Sequence, residues 1–294
     1  MPYRCSVAAE ERGDPREGTA APAPRWLLIE QPGPWNGRDA LRQSLLDPAV
    51  GAAVKRRAEA AGVRPMLIRR PGRTDPGAPR RWAYVDSRPG HETVRWSWFE
   101  ADAELLDIPL DGSAGTPSTD PVYLVCTHGR HDPCCALRGR PVALTIAELR
   151  PEQTWECSHL GGDRFAANLV ALPHGLYYAH VTPYTAERFV RAYEEGRVEV
   201  AWLRGRSAYS APVQAAQHHV RLALGEDRID ALPVRRFEQR DEHTWHVRFA
   251  HERGEVGATV RAEHAKEPAR LTCSSPQEET PRVFTLVDLD LPGG

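Results

Sequence analysis

Lysine is almost missing from this 294-residue sequence: Lys55 and Lys266 are the only two, and arginine carries nearly all the positive charge. With the abundant alanine and proline, that bias is the mark of a GC-rich genome and carries no mechanistic weight. Neither sign of charge is in excess, since the formal net charge is −2. No basic block stands out, so the electrostatic footprint of a nucleic-acid partner is missing. No run approaches the roughly 20 apolar residues that span a bilayer, which argues against a membrane protein. The opening segment, MPYRCSVAAEERGDPREGTAAPAP, has no apolar core and no cleavage site of a secretory signal. The expected location is therefore cytoplasmic, where thiols stay reduced and structural disulfides are rare.

Cysteine is scarce as well, with six in the chain, and its distribution is uneven. Three cysteines and two histidines fall in the eleven residues VCTHGRHDPCC, Val125–Cys135. In a reducing compartment such a group points to a metal or to thiol chemistry rather than to a disulfide framework. The apolar fraction of 41% supplies a real core, and the length suits two or three domains.

Residues 1–24 read as a polar lead-in. Residues 25–111 read as a first α/β domain. Trp26–Glu30 is an apolar run fit for a buried strand, and Asp47–Ala61 is a helix with Asp47 as cap and Pro48 in its first turn. Strands follow at 66–70, 81–86 and 94–99, then a short helix at Asp102–Leu106. The segment GSAGTPSTD, 112–120, is the best linker candidate. In residues 121–206 the order nearly recurs: strand 122–126, a helix over Cys135–Leu149 interrupted near Pro141, strand and loop 154–160, a hairpin around His174-Gly175, and a helix over 186–195. The β-α-β, hairpin, helix order is that of a thioredoxin-like layer. An internal repeat is expected, in which residues 25–110 form a layer without ligands because no Cys or His follows its first strand. Residues 207–294 read as a small α+β unit: a helix over 211–224, then short strands at RRFEQ, WHVRFA, ATVRAE, RLTCSS and VFTLVDL. The tryptophans Trp82, Trp96, Trp98, Trp155, Trp202 and Trp245 sit at strand-like positions and read as core. Cys5 and Cys273 read as incidental.

Cys126 ends a strand and Cys135 opens a helix, whose N-terminus favours a thiolate. A second group, Cys157, His159 and Asp163, surrounds Gly161-Gly162, and equivalent element ends let the two groups converge. His128 and His131 read as loop-orienting or solvent-facing residues rather than ligands. Arg204 and Arg206 are weighed as a dock for an acidic redox partner against a solvated turn, with the turn favoured.

VCTHGRHDPCCALRGRPV, followed by HLGGDRFAANLVALPHGLYYAHVTP, resembles the sucrase/ferredoxin-like family, a relative of the thioredoxin-like [2Fe–2S] ferredoxins. The opening around PRWLLIEQPGPW, LIRRPGR and the later LRGRSAYSAPVQAA are similar to bacterial members, so the resemblance spans nearly the whole chain. It implies a soluble electron-transfer protein with a [2Fe–2S] cluster and a redox partner protein. Cys126 and Cys135 match the first two ligand positions, and His159 and Asp163 the later pair, where many members carry two histidines. Such imidazole ligation raises a cluster's potential. Asp163 departs from the pattern, so Cys157 is its rival by ligand chemistry, and Cys134 adjoins Cys135. His131 is a second departure, where relatives usually have Arg. No paired carboxylates suit glycoside hydrolysis, so the sucrase half of the name has no support and a carrier is favoured over a catalyst. The alternatives are a thiol oxidoreductase using Cys126 with Cys134 or Cys135, and a structural zinc site on Cys126, Cys135, Cys157 and His159.

Overall fold

The computed structural model describes residues 2–72 and 79–291. In chain order the elements are α1 (Cys5–Arg12), β1 (Arg25–Glu30), α2 (Pro48–Ala60), β2 (Arg64–Arg69), β3 (Arg80–Asp86), β4 (Thr93–Phe99) and β5 (Thr116–Ser118). They continue with β6 (Val122–Cys126), α3 (Pro133–Leu149), β7 (Thr154–Cys157), β8 (Leu169–Leu172), β9 (Leu176–Tyr178), α4 (Pro183–Glu194) and β10 (Leu203–Arg206). The last are α5 (Ala211–Leu224), β11 (Val234–Gln239), β12 (Thr244–His251), β13 (Gly254–His264) and β14 (Arg282–Asp290). Asp102–Leu106 forms a 3₁₀ turn.

Ten strands make one mixed sheet, in the order β10-β9-β8-β6-β7-β2-β1-β3-β4-β5. In each half a right-sized helix links two parallel strands: α2 joins β1 to β2, and α3 joins β6 to β7. In each half an antiparallel pair then extends the sheet on the far side of the first strand, as β3-β4 and as β8-β9. The element order therefore does recur. The halves are not separate layers, however. β2 pairs antiparallel with β7, with Ile68 opposite Cys157 and Arg69 opposite Glu156. The first half continues the second half's sheet, and the expected linker itself supplies β5, paired to β4. The seam is closed by charge: the Arg69 guanidinium reaches Glu156 at 2.7 Å, and Thr127 Oγ1 donates to the same carboxylate at 3.0 Å.

Strand alternation divides the core into two faces. One face runs across both halves through Trp26, Leu28, Ile68, Leu124, Cys126, Trp155, Cys157 and Val170. On the other face α3 and α4 pack on Val125 and Leu169, and α2 packs on Leu27, Ile29 and Leu67.

The structure corrects several expectations. The lead-in is not a loose segment: it forms α1, buries Cys5 and Ala9, and sends Ala20 and Ala23 into the sheet's first face. These side chains are small, so no hydrophobic pattern marks them. Helix α3 starts two residues before the expected Cys135, with Asp132 accepting from Cys134 N at 2.8 Å and Pro133 in the first turn. It also runs unbroken through Pro141. The carbonyl that a Pro141 N–H would have bonded belongs to Leu137, which is on the solvent side. RLTCSS is not a strand; only Ala269 forms a bridge, to Glu279. Trp98 is 54% exposed, with the Arg81 guanidinium over its ring at 4.4 Å. The C-terminal sheet has the order β11-β12-β13-β14, and α5 packs Val213, Ala216 and Val220 on Val247, Phe249 and Val260.

One contact sets how closely α3 lies on β6. A Cβ on Gly139 would come 2.0 Å from the carbonyl oxygen of Cys126. Gly139→Ala must push the helix off the strand end and is expected to cost about 1–3 kcal/mol, as overpacking does. Denaturant unfolding checks this. An unchanged midpoint would contradict the close approach.

Candidate metal centre

β6 and β7 are parallel and in register to their last residues, with Cys126 beside Cys157. The loops that follow them therefore leave the sheet together, at the carboxyl ends of the strands. The first loop returns through Asp132 into α3, whose opening turn sets Cys135 over Cys126. The second carries His159 and Asp163.

Cys126, Cys135 and His159 each offer a donor atom, and these lie within 4.8 Å of one another. Asp163 joins them: Cys135 Sγ donates to its Oδ1 at 3.3 Å, and His159 Nδ1 is 3.2 Å from the same oxygen. His131 is part of the site as well. Its ring stacks on His159 with centroids 3.5 Å apart, its Nε2 is 3.8 Å from Asp163 Oδ2, and His131, His159 and Asp163 form a second donor group within 4.8 Å. The His128 ring is turned out of this group, with its Nε2 paired to Gly37 O at 2.8 Å and its ring edge-on to Trp35, but its backbone takes part: its carbonyl accepts from His131 N at 3.1 Å and its N–H helps to lower Cys126.

The loop 159–163 is fixed by two arginines that the sequence did not single out for this role. Arg64 Nη2 donates to the carbonyls of His159, at 3.3 Å, and Leu160, at 3.0 Å. Arg204, on β10, donates to Gly161 O at 2.9 Å, to Asn168 Oδ1 at 2.7 Å and to Thr19 O at 2.6 Å. Asn168 Nδ2 in turn donates to Gly162 O at 2.9 Å. Gly162 has φ of 79°, and a Cβ there would meet Arg204 Nη2 at 2.5 Å, so both backbone and space require glycine. Arg204 and Arg206 are 2% and 3% exposed, which removes them from any docking surface. Arg206 is paired with Glu92 and Asp230.

The site is electrostatically primed. A hydrogen bond from Cys135 pulls the Cys126 thiol well below its ordinary value against the cost of burial, with His159 helping; Cys135 rises in turn. Cys126 is thus the more acidic thiol of the pair. Burial lifts the Asp163 carboxyl to about 6, and burial followed by the nearby His159 lowers His131 to about 4. The Nδ1 atoms of His131 and His159 are buried without an aligned hydrogen bond. Two buried thiols, two half-buried imidazoles and a buried carboxylate brought together are the donors that a thiophilic metal ion or an iron–sulfur cluster takes.

Cys157 falls in neither donor group. β7 ends at Cys157, so the alternation that would align it with His159 stops there; its thiol sits in the apolar core, raised by burial. Cys134 points away from Cys135, as adjacent residues on a helix do. Its Sγ lies 3.4 Å from Cys273 Sγ, beside Cys5 and Asp132. Cys5 and Cys273 are thus not incidental. Sequence separation hid them, because nothing local marks either one.

Fold and site together define a mixed α/β protein with a Cys/His/Asp donor group able to hold a metal. Residues 17–205 match the family model described as Sucrase/ferredoxin-like, and the chain belongs to that family. Neither the curated proteins nor the solved structures give a match.

Arg204→Met would leave the carbonyls of Gly161 and Thr19 and the side chain of Asn168 short of a buried donor. Each orphaned group costs about 1–3 kcal/mol. A stability drop in that range or above is expected on unfolding, with weaker metal retention at the neighbouring site. Unchanged stability would show that Arg204 does not clamp the loop.

Proposed function

We propose that the chain is an electron carrier holding one [2Fe–2S] cluster on Cys126, Cys135, His159 and Asp163. The observation that carries this is the convergence of two buried thiols with an imidazole and a carboxylate from the stretch that matches the family. Residues 121–206 are then the ferredoxin-like unit. The order β7-β6-β8-β9, with α3 as crossover and α4 following, supports a thioredoxin-like core for it. Residues 25–111 extend its sheet through β2 rather than forming a second layer of their own, and 207–294 form an α+β appendage.

A bound cluster would supply one-electron chemistry; the chain's own residues set its surroundings. The two thiols are buried, while the side chains of His131 and His159 are about one fifth exposed. The imidazole edge thus faces solvent, in a cleft of about 320 Å³ whose wall includes Arg38, His128, His131 and His159, with Lys55 paired to Asp39 at 3.2 Å. Arg130 and Arg140 line the adjoining cleft. That rim suits a redox partner with an acidic contact surface, and electrons would pass over the histidine edge. Burial of both thiols disfavours exchange with an outside disulfide.

A single zinc ion on the same donors is the second reading, favoured by how compactly Cys126, Cys135 and His159 lie. For the fourth donor, contact with both Cys135 and His159 supports Asp163, and His131, stacked on His159, replaces Cys157 as its rival.

Iron and acid-labile sulfide in equal amounts, with visible absorbance, are expected in the anaerobically purified protein. Alanine at Cys126 or Cys135 should abolish both. Asp163→Ala is expected to lower iron content several-fold, and Cys157→Ala to leave it near wild type. Retention in Asp163→Ala with loss in His131→Ala would transfer the fourth position to His131. Zinc at one per chain, bound at Cys126 and Cys135 without sulfide, would replace the cluster by the second reading.

A further inference from the structure

Three cysteines outside that site meet at one point from remote parts of the chain. Cys5 lies on α1, Cys134 in the first turn of α3, and Cys273 in the segment between β13 and β14. The Sγ of Cys273 is 3.4 Å from that of Cys134 and 3.5 Å from that of Cys5. With a carboxylate oxygen of Asp132, the three sulfurs form a group within 4.8 Å. Cys5, Cys134 and Asp132 are fully buried. Cys5 N donates to Cys273 Sγ at 3.3 Å, a bond that favours an anionic sulfur.

Packing alone does not account for this group. Asp132 is a buried carboxylate whose donors are all uncharged: Cys134 N at 2.8 Å, Cys273 N at 2.6 Å, Thr272 Oγ1 at 2.8 Å and the Cys5 thiol at 3.7 Å. A buried anion surrounded by polarizable sulfurs calls for a cation. A disulfide could join only two of the three and would strand the third. A tetrahedral zinc, with Zn–S of about 2.3 Å, holds its sulfurs about 3.8 Å apart, so the observed spacing needs to open by only a few tenths of an ångström.

We propose that Cys5, Cys134 and Cys273, with Asp132 as fourth donor, form a closed structural zinc site distinct from the Cys126/Cys135 centre. Binding displaces the thiol protons to solvent and changes no oxidation state. The zinc ties the N-terminal helix and the C-terminal segment to the start of α3, closing loops of well over a hundred residues. The same helix start carries Cys135, so the zinc also holds that ligand's backbone in place.

The test uses the full-length Cys126→Ser/Cys135→Ser variant, in which the first site is disabled, so that its failure and this one's are told apart. Grown with zinc, it is expected to keep one zinc per chain. Exchanged with Co²⁺, it should show the sulfur-to-cobalt charge-transfer band and intense visible bands of a tetrahedral thiolate site. In the otherwise wild-type chain, Cys273→Ser should lose at least tenfold in zinc affinity while keeping its metal at Cys126 and Cys135. Absence of zinc and of a cobalt spectrum in the folded double variant would overturn the proposal. So would a Cys134–Cys273 disulfide found by mass spectrometry in protein prepared under reducing conditions.

Discussion

The buried carboxylate of Asp132 fixes where α3 begins, and both cysteine groups take their positions from that start. By accepting from Cys134 N it caps the helix, and Pro133 commits the chain to helical geometry at once. Two adjacent cysteines in a first turn then diverge by the helical rotation per residue. Cys135 turns toward the end of β6, and Cys134 toward α1 and Cys273. One cap thus apportions the thiols of VCTHGRHDPCC between two sites. The remaining requirement is closeness, met by Gly139, which lets the helix lie on the carbonyl of Cys126.

The opposite wall is built from cations rather than from a cap. Arg64 and Arg204 occupy the carbonyls of residues 159–161, and the left-handed Gly162 leaves room for the Arg204 guanidinium. That wall holds the backbone of residues 159–161 and leaves the side-chain polar atoms of His159 and Asp163 to the site. The seam between the halves sits directly behind it: Ser158 N donates to Leu67 O, and Leu67 N donates to Ser158 Oγ. The first half therefore serves as a rigid support for the loop 159–163, which is a reason for the two halves to share one sheet.

How much of this could be read in the sequence follows from how local each signal is. The strand before Cys126 is a five-residue apolar run and lies where the pattern put it, Val122–Cys126. The cap and proline of α2 are equally plain, whereas the same Asp-Pro signal at 132–133 lies inside the cysteine–histidine cluster, where a ligand loop and a helix start look alike. His159 and Asp163 show in the sequence as polar residues around Gly161-Gly162, and the family resemblance pairs them as ligands, since a loop held by arginines from β2 and β10 has no periodicity. Arg204 and Arg206 look solvated because an arginine's burial depends on distant partners, carbonyls for Arg204 and carboxylates for Arg206, that the sequence does not display. Cys5 and Cys273 were invisible for the same reason: their neighbours are 268 residues apart.

The central claim is that an imidazole of this chain binds a paramagnetic cluster beside two thiolates. Pulsed EPR of the dithionite-reduced protein tests it most directly, through nitrogen hyperfine coupling to the cluster spin. A low-temperature signal with strong imidazole nitrogen coupling, lost in His159→Ala, is the predicted result. A reduced protein with no cluster signal after reconstitution, or a signal free of imidazole coupling, would contradict it.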